Sequence, residues 1–242
     1  MTSLAPYLDF ANHRANATPR DIEKLCKDVL TYGFHAAFVN ATYIITAKKA
    51  LAGPPAGETG KARPVVGTVV SFPLGQDTTT AKVAAANNAA TLGADELDVV
   101  PNIGMFIAGN EDGFLHEMTA IVDAARMVGK PVVIKFILEP AFFDGMEDKK
   151  EKMQRVAELI KASGADYVKI GSGMGPRNPT LEDFLIVKEA VGDSMKIKVA
   201  GGITTKEVAE KFIEAGVTRL GTSHAIEIVN EAAKPNNKTS GE

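Results

Sequence analysis

Two lysines fall inside short apolar segments that have the character of buried strands. Lys169 interrupts the run "DYVKI", and Lys198 interrupts "KIKVA", the next apolar run along the chain. Burying an ammonium group is costly unless the group is paired or neutralised. Two such groups on neighbouring strands raise each other's energy, so at least one pKa should fall. A neutral lysine amine attacks carbonyl carbons and forms a Schiff base, and this is the chemistry that the pair predicts.

Charged residues in other apolar runs add to this chemistry. Asp98 lies in "ELDVV", and Lys135 and Glu139 lie in "VVIKFILEP". A carboxylate close to a reactive amine can carry the protons that Schiff-base chemistry moves. A purely structural interpretation is also open, in which Lys169 reaches the rim of the fold or forms a buried ion pair with Asp98 or Glu139.

Three glycine-bearing segments follow the last three apolar runs. They are Gly171–Gly175, Ala200–Thr205 and Gly221–His224. Glycine lets backbone N–H groups approach an anion, and the helix that follows adds the positive end of its dipole. Tight turns alone would also account for the glycines. Because the last two loops follow the seventh and eighth runs, where barrels commonly bind phosphate, we favour a phosphate site.

The elements that must position these residues are apolar runs alternating with helical patterns. Near-continuous hydrophobicity is typical of parallel strands that are covered on both faces. Eight strand–helix units predict an α/β fold, a single-domain (β/α)8 TIM barrel over residues 1–233, with a doubly wound open sheet as the alternative. Residues 234–242 form a polar tail that we expect to be flexible. The eight runs are Pro6–Asp9, Ala36–Asn40, Val65–Ser71, Glu96–Val100, Val132–Leu138, Asp166–Ile170, Lys196–Ala200 and Thr218–Gly221.

Local signals mark several helix starts and one loop. Threonine followed three residues later by an acid predicts a capping box at the start of a helix. Cys26 falls on the apolar side of the first helical pattern and is predicted to be core. The segment Ala52–Pro64, rich in proline and glycine, is predicted to be a surface loop. The capping pairs are Thr180 with Asp183 and Thr204 with Glu207. For the first helix, Thr18 is the predicted N-cap, with Pro19 at the first helical position and Asp21 near the positive end of the dipole.

Composition narrows the class of protein. The chain has 242 residues, 45% of them hydrophobic, a net charge of −3 and one cysteine. These values predict no disulfide framework, no nucleic-acid partner and no membrane association, and the N-terminus lacks a signal-peptide pattern, so we expect a cytoplasmic protein. The histidines show no ligand spacing, so we expect no metal site. They are His13, His35, His116 and His224.

Six segments, taken together, resemble the deoxyribose-phosphate aldolase family. They occur in order between about Leu8 and Ile228, nearly the whole chain. The resemblance implies a class I aldolase on a (β/α)8 barrel, a lyase of deoxyribonucleotide and carbohydrate catabolism. It would interconvert 2-deoxy-D-ribose 5-phosphate with D-glyceraldehyde 3-phosphate and acetaldehyde. It implies a small phosphorylated sugar as substrate and no cofactor, and it leaves a homodimer or homotetramer open. The segments are "FVNATYI", "SFPLGQDTT", "GADELDVVPNIG", "VKIGSGMG", "IKVAGGITT" and "TRLGTS".

The resemblance also implies roles for individual residues. Lys169 matches the Schiff-base lysine, and Lys198 matches the second lysine, which lowers the pKa of the first. Asp98 matches the acid that carries protons together with a water. The matches to substrate-binding positions are Asp9, Lys135, Ser172, Gly173, Gly201, Gly202, Gly221 and Ser223.

The chain departs from the family pattern around this catalytic trio. These departures leave two alternatives: a Schiff-base aldolase with shifted acceptor specificity, or a phosphosugar-binding or scaffold protein with weak catalysis. The departures are Phe10, Phe38, Ile170, Gly171, Thr204 and His224.

Overall fold

The computed structural model describes residues 3–52 and 63–233, and its strands form a closed parallel barrel. Each strand pairs with the next along the chain, and the last pairs with the first. The predicted (β/α)8 barrel is therefore confirmed, and the open sheet is excluded. The strands are β1 Leu8–Asn12, β2 Ala36–Val39, β3 Val65–Val70, β4 Glu96–Val99, β5 Val133–Leu138, β6 Tyr167–Ile170, β7 Lys196–Ala200 and β8 Arg219–Thr222.

Helices follow the strands and form the outer layer. Two helices rather than one follow β4. Short 3-10 turns lie at Ala5–Tyr7, Ala41–Tyr43 and Pro140–Phe143. The α-helices of the described residues are α1 Pro19–Tyr32, α2 Ile44–Leu51, α3 Thr79–Thr91, α4 Ile103–Ile107, α5 Glu111–Arg126, α6 Lys149–Ala162, α7 Leu181–Val191, α8 Lys206–Glu214 and α9 Ala225–Ala233.

Helix α1 illustrates how the sequence produces one of these units. The Thr18 side chain accepts a hydrogen bond from the Asp21 amide, and the Asp21 carboxylate accepts one from the Thr18 amide. This capping box satisfies amides that the helix itself leaves unpaired. Gly33 ends the helix with φ of 71°, a conformation that favours glycine. The face toward the barrel has the spacing of a buried helical stripe: Ile22, Leu25, Cys26 and Val29.

The strands are buried on both faces, and this burial directs the charged side chains inward. In β6, Val168 and Ile170 belong to the apolar core shared with the helices. Because side chains alternate along a strand, Lys169 between them points into the barrel. Lys198 has the same relation to its apolar neighbours in β7, and its Cα is the register partner of Lys169.

Two predicted boundaries are wrong. The first strand runs from Leu8 to Asn12 rather than over Pro6–Asp9, and Pro6 lies in the preceding 3-10 turn. Proline has no N–H to donate to a strand ladder, whereas the turn requires none from it. The cap of α8 is Thr205 rather than Thr204, because the Thr205 side chain accepts from the Val208 amide. The predicted box of Thr180 and Asp183 is present.

Some predictions concern residues outside the described ranges. These are the polar tail at 234–242 and most of the proposed loop at 52–64, so the domain limits stay a prediction. Within residues 3–52 and 63–233, no helix has both the length and the apolar character that crossing a bilayer would require.

Candidate active site

The floor of the site is a buried cluster of charges centred on Asp98. Its Oδ2 lies 2.9 Å from Lys169 Nζ and 2.8 Å from Lys198 Nζ. Its Oδ1 lies 3.0 Å from Lys135 Nζ. Asp98 is fully buried and Lys169 is 4% exposed. The barrel thus brings the three residues proposed for catalysis into direct contact, from β4, β6 and β7.

A second set of ion pairs extends this cluster. Lys198 Nζ lies 2.6 Å from Asp9 Oδ2, while Lys135 pairs with Glu96. His35 Nε2 is 2.9 Å from the other Glu96 oxygen. Spacing along the sequence gave no sign that Asp9, His35 and Glu96 form one group with ligand atoms within 4.8 Å. Because both carboxylates already face ammonium groups, this group is part of the charge network.

An aromatic ring fills the barrel beside the two inner lysines. The Phe38 ring centroid lies 3.6 Å from Lys198 Nζ and 4.9 Å from Lys135 Nζ. A cation over an aromatic face is attracted by the negative charge of the π system. The ring fits because the opposing residue is Gly67, where an added Cβ would come within 2.2 Å of it. Phe38, a departure from the family pattern, therefore packs against the ammonium groups of Lys135 and Lys198.

Burial within this cluster gives Lys169 an unusual pKa. The pKa of Lys169 is lowered to about 8: burial lowers it most, Asp98 opposes this, and Lys198 adds to the lowering. The main cause is therefore desolvation, and the neighbouring lysine acts in the same direction with a smaller effect. With a pKa about one unit above neutrality, roughly a tenth of the Lys169 amines carry a free lone pair at pH 7.

The surrounding groups keep fixed charges. Burial alone would raise the pKa of Asp98, but Lys135, Lys169 and Lys198 outweigh it and hold that pKa well below its usual range. Burial lowers the pKa of Lys135, yet Asp98 and Glu96 outweigh burial and raise it. At neutral pH the centre of the cluster is therefore a carboxylate, and Lys135 is an ammonium group.

A cavity of about 730 Å³ opens above the cluster at the carboxyl ends of the strands. Lys135 is not on its wall but fully buried beneath it. The other ten predicted site residues line the cavity: Asp9, Asp98, Lys169, Ser172, Gly173, Lys198, Gly201, Gly202, Gly221 and Ser223. A cavity of this size suits a small sugar phosphate.

The glycines of the wall make room at specific points. Gly201 and Gly202 have φ of 101° and 72°, which expose their backbone in a conformation that favours glycine. At Gly221, a Cβ would lie 3.2 Å from Lys198 Cε. The absence of a side chain there lets Lys198 extend towards Asp98. The Ser172 hydroxyl and amide both donate to Glu139, so that serine holds its loop in place.

The family departures have clear places in the structure. Gly171 has φ of 78°, and a Cβ there would meet Pro179 Cγ at 2.3 Å, so this loop requires glycine. Phe10, Thr204 and His224 line the cavity. The β7 and β8 loops, residues 201–205 and 223–224, contain no lysine or arginine.

The cavity residues that sequence reasoning missed include His13 and Phe72. Phe72 lies 5.7 Å from Lys169 Nζ, measured to the ring centroid. His13 was set aside with the scattered histidines, yet it directly follows β1. In a barrel, that position at the carboxyl end of a strand was the signal available in the sequence.

Comparisons with known proteins agree with this geometry. Residues 7–223 match the model of the DeoC/LacD family aldolases. The chain is 38% identical over 227 residues to deoxyribose-phosphate aldolase from Desulfitobacterium hafniense (strain DSM 10664 / DCB-2), covering 94% of this chain and 97% of that protein. It is also 38% identical over 229 residues to the enzyme of that name from Thermococcus gammatolerans, covering 95% and 96%.

Solved structures give the same result. An aldolase called QR15 superposes with a TM-score of 0.84 at 29% identity, covering 96% of each chain. A deoxyribose phosphate aldolase from Aeropyrum pernix, described as having a unique tetrameric structure, gives 0.80 at 26% identity, covering 95% of this chain and 90% of that one.

Proposed function

Because the chain belongs to the DeoC/LacD family of aldolases, we propose that it cleaves 2-deoxy-D-ribose 5-phosphate through a Schiff base on Lys169. The products are D-glyceraldehyde 3-phosphate and acetaldehyde. The observation that carries the proposal is the contact of Lys169 and Lys198 with one Asp98 oxygen at the floor of an open cavity. This arrangement keeps one amine partly neutral and a proton-carrying carboxylate beside it.

The first step forms the covalent intermediate. The neutral Lys169 amine attacks the C1 aldehyde, and the resulting carbinolamine loses water to give an iminium ion. The leaving hydroxyl must receive a proton. Asp98 starts as a carboxylate, so it takes a proton from the attacking nitrogen or from Lys198 before passing it on, directly or through a water.

Bond cleavage follows from the iminium ion. The C3 hydroxyl gives its proton to the Asp98 carboxylate, directly or through a water, the C2–C3 bond breaks, and its electron pair moves to the iminium nitrogen to give an enamine. Glyceraldehyde 3-phosphate leaves with C3 as its aldehyde carbon. Protonation of the enamine at C2 and hydrolysis then release acetaldehyde and return Lys169. Lys198 pairs with Asp98 at 2.8 Å and stabilises its anionic form between proton transfers.

The phosphate is proposed to bind at the loops after β7 and β8. Gly201, Gly202 and Ser223 line that end of the cavity, and helices α8 and α9 begin just beyond. Backbone amides and helix dipoles there favour an anion. The proposed roles of Asp9 and Gly173 are contacts along the sugar. Lys135 acts from beneath the cavity by holding Asp98 and Glu96.

A direct assay tests the proposal. Purified protein should release acetaldehyde from 2-deoxy-D-ribose 5-phosphate, and Lys169→Met should release none. Lys196→Met is the matched control, since Lys196 is an exposed lysine on β7, the strand that pairs with the β6 strand of Lys169. Binding of the sugar phosphate without acetaldehyde release would favour a phosphosugar-binding protein and contradict the proposed reaction.

The second candidate function is a Schiff-base aldolase that prefers a less anionic acceptor aldehyde. Thr204 lines the cavity and neither phosphate loop supplies a cationic lysine or arginine. The carboxylates of Asp21 and Asp28 line the cavity together with the cations of Arg14 and Lys24, so its mouth has no excess of positive charge. Rates with glyceraldehyde and with its 3-phosphate decide between the two candidates, and a strong preference for the phosphate removes the second.

The cellular location and the oligomeric state of the protein are also proposals. We propose that it works in the cytoplasm as a homodimer or homotetramer on a small phosphosugar. The tetramer described for the Aeropyrum pernix relative supports the higher oligomer. Light scattering of the purified chain measures its mass, and a monomer would contradict this proposal.

A further inference from the structure

His13 stands at the cavity wall and lies outside the catalytic trio. It directly follows β1, which ends at Asn12. Its ring lies 5.5 Å from the Phe72 ring at a tilt of 48°. Phe72 in turn lies 5.7 Å from Lys169 Nζ. One aromatic side chain therefore packs against the imidazole and also faces the reactive amine.

One nitrogen of this imidazole has no partner in the protein. His13 Nδ1 is buried and forms no hydrogen bond with any residue that the structure describes. A buried polar atom left unpaired is destabilising, so such atoms are rarely kept without a role. Nδ1 itself lies just under the cavity surface, but the ring lines the cavity, so a turn of the imidazole would offer the unpaired nitrogen to a bound molecule.

The charges around His13 decide what kind of group it can bind. Burial lowers the pKa of His13 to about 4, the Lys169 charge lowers it further and Asp98 opposes this. Lys198 adds a smaller lowering effect, and the nearby Asn40 side chain a small opposing one. The ring is therefore neutral at pH 7. A neutral imidazole nitrogen suits a hydroxyl group and offers no charge to a phosphate.

We propose that His13 Nδ1 binds the C4 hydroxyl of the substrate and makes the site selective for it. This inference rests on the proposed function. With C1 on Lys169 and the phosphate at the β7 and β8 loops, the middle of the sugar chain crosses the cavity between them. Strand β1 pairs with β8, so His13 stands beside that crossing. It lies beyond the end of its strand, nearer the mouth than Asp98 within β4, and so nearer C4 than C3.

The test compares two substrates in three proteins. The substrates are 2-deoxy-D-ribose 5-phosphate and the 2,4-dideoxypentose 5-phosphate, which lacks only the C4 hydroxyl. Release of acetaldehyde reports the same product from both. The proteins are the wild type, His13→Leu, which keeps much of the volume without a polar atom, and His13→Asn, which places an amide near the Nδ1 position.

The expected result is a change in discrimination. The ratio of kcat/KM for the 2-deoxy over the 2,4-dideoxy substrate should fall about tenfold in His13→Leu. His13→Asn should keep most of the ratio. An equal loss on both substrates would make His13 a packing residue and overturn the proposal, as would an unchanged ratio.

Two further measurements keep the outcome clear. If His13→Leu does not fold, His13→Phe takes its place, because phenylalanine keeps a ring without a polar atom and should lower the ratio to a similar extent. Borohydride trapping of acetaldehyde on the wild type tests the proposed function separately. A trapped adduct with no C4 discrimination would reject the role of His13 alone.

Discussion

Replacing Lys198 with methionine should move the pKa of Lys169 upward. Lys169 Nζ and Lys198 Nζ both lie within 2.9 Å of one Asp98 oxygen, so they are less than about 6 Å apart. At an effective dielectric constant of about 20, two unit charges at about 5 Å repel each other by about 3 kcal/mol. That energy corresponds to about two pKa units.

The direction of the change in the Lys169 pKa follows from the charges around it. In the wild type, Lys169 has a pKa of about 8 and is inactive when protonated, so kcat/KM should rise with pH through about 8. In Lys198→Met the repulsion is lost, Asp98 remains, and the inflection should move to about pH 10. At pH 7 the neutral fraction of Lys169 should fall about a hundredfold.

The assay is the pH profile of kcat/KM for acetaldehyde release. The position of the inflection separates an effect on the Lys169 pKa from a direct role of Lys198, which would lower the rate at every pH. Lys196→Met is the control on the same strand, and its inflection should stay near pH 8. An unchanged inflection in Lys198→Met would refute the coupling and leave burial and the smaller effect of Lys135 as the causes of the low pKa.

Two further predictions concern stability and the shape of the site. Glu117→Gln should lower the free energy of unfolding by about 3 kcal/mol, because Glu117 pairs at 2.7 Å with the fully buried Lys82; urea denaturation measures this loss. Gly221→Ala should lower kcat/KM at least about tenfold, because its Cβ would crowd Lys198 Cε at 3.2 Å; steady-state kinetics with unchanged circular dichroism measures this effect.

Each of these two predictions has a control variant and an outcome that would contradict it. Asp28→Asn breaks an exposed helix pair with Lys24 and should cost less than about 0.5 kcal/mol. An equal loss in both carboxylate variants would mean that burial of the pair is unimportant. For Gly221→Ala, adding Ala200→Gly removes the nearest contact, at 2.9 Å, and should restore part of the rate. Full activity in the single variant would show that Lys198 needs no such space.

Much of the barrel could be predicted from the sequence because its strands are apolar on both faces. The alternation of hydrophobic runs with capped helices requires little knowledge of distant contacts. The first strand was misplaced because its apolar residues extend back into a proline turn, and only pairing with β2 and β8 sets its limits. Thr204 and Thr205 are equivalent caps in the sequence, and the backbone at the end of the β7 loop selects the second.

The site could be predicted only in part. Lys169, Lys198 and Asp98 were recognisable because charge in a buried strand is costly and therefore noticeable. The role of Phe38 depends on a ring lying over two lysines from other strands, and the unpaired Nδ1 of His13 depends on what surrounds it. Such features arise from closure of the barrel, which brings distant segments together, and no local pattern encodes them.

The identity of the residue that becomes covalently modified tests the account most directly. Protein treated with acetaldehyde and borohydride, digested and read by peptide mass, should carry one ethyl group, on Lys169. Lys198 is more tightly paired, with both Asp98 and Asp9, and should stay unmodified. Modification of Lys198 instead, or of exposed lysines alone, would contradict the assignment of Lys169 as the nucleophile.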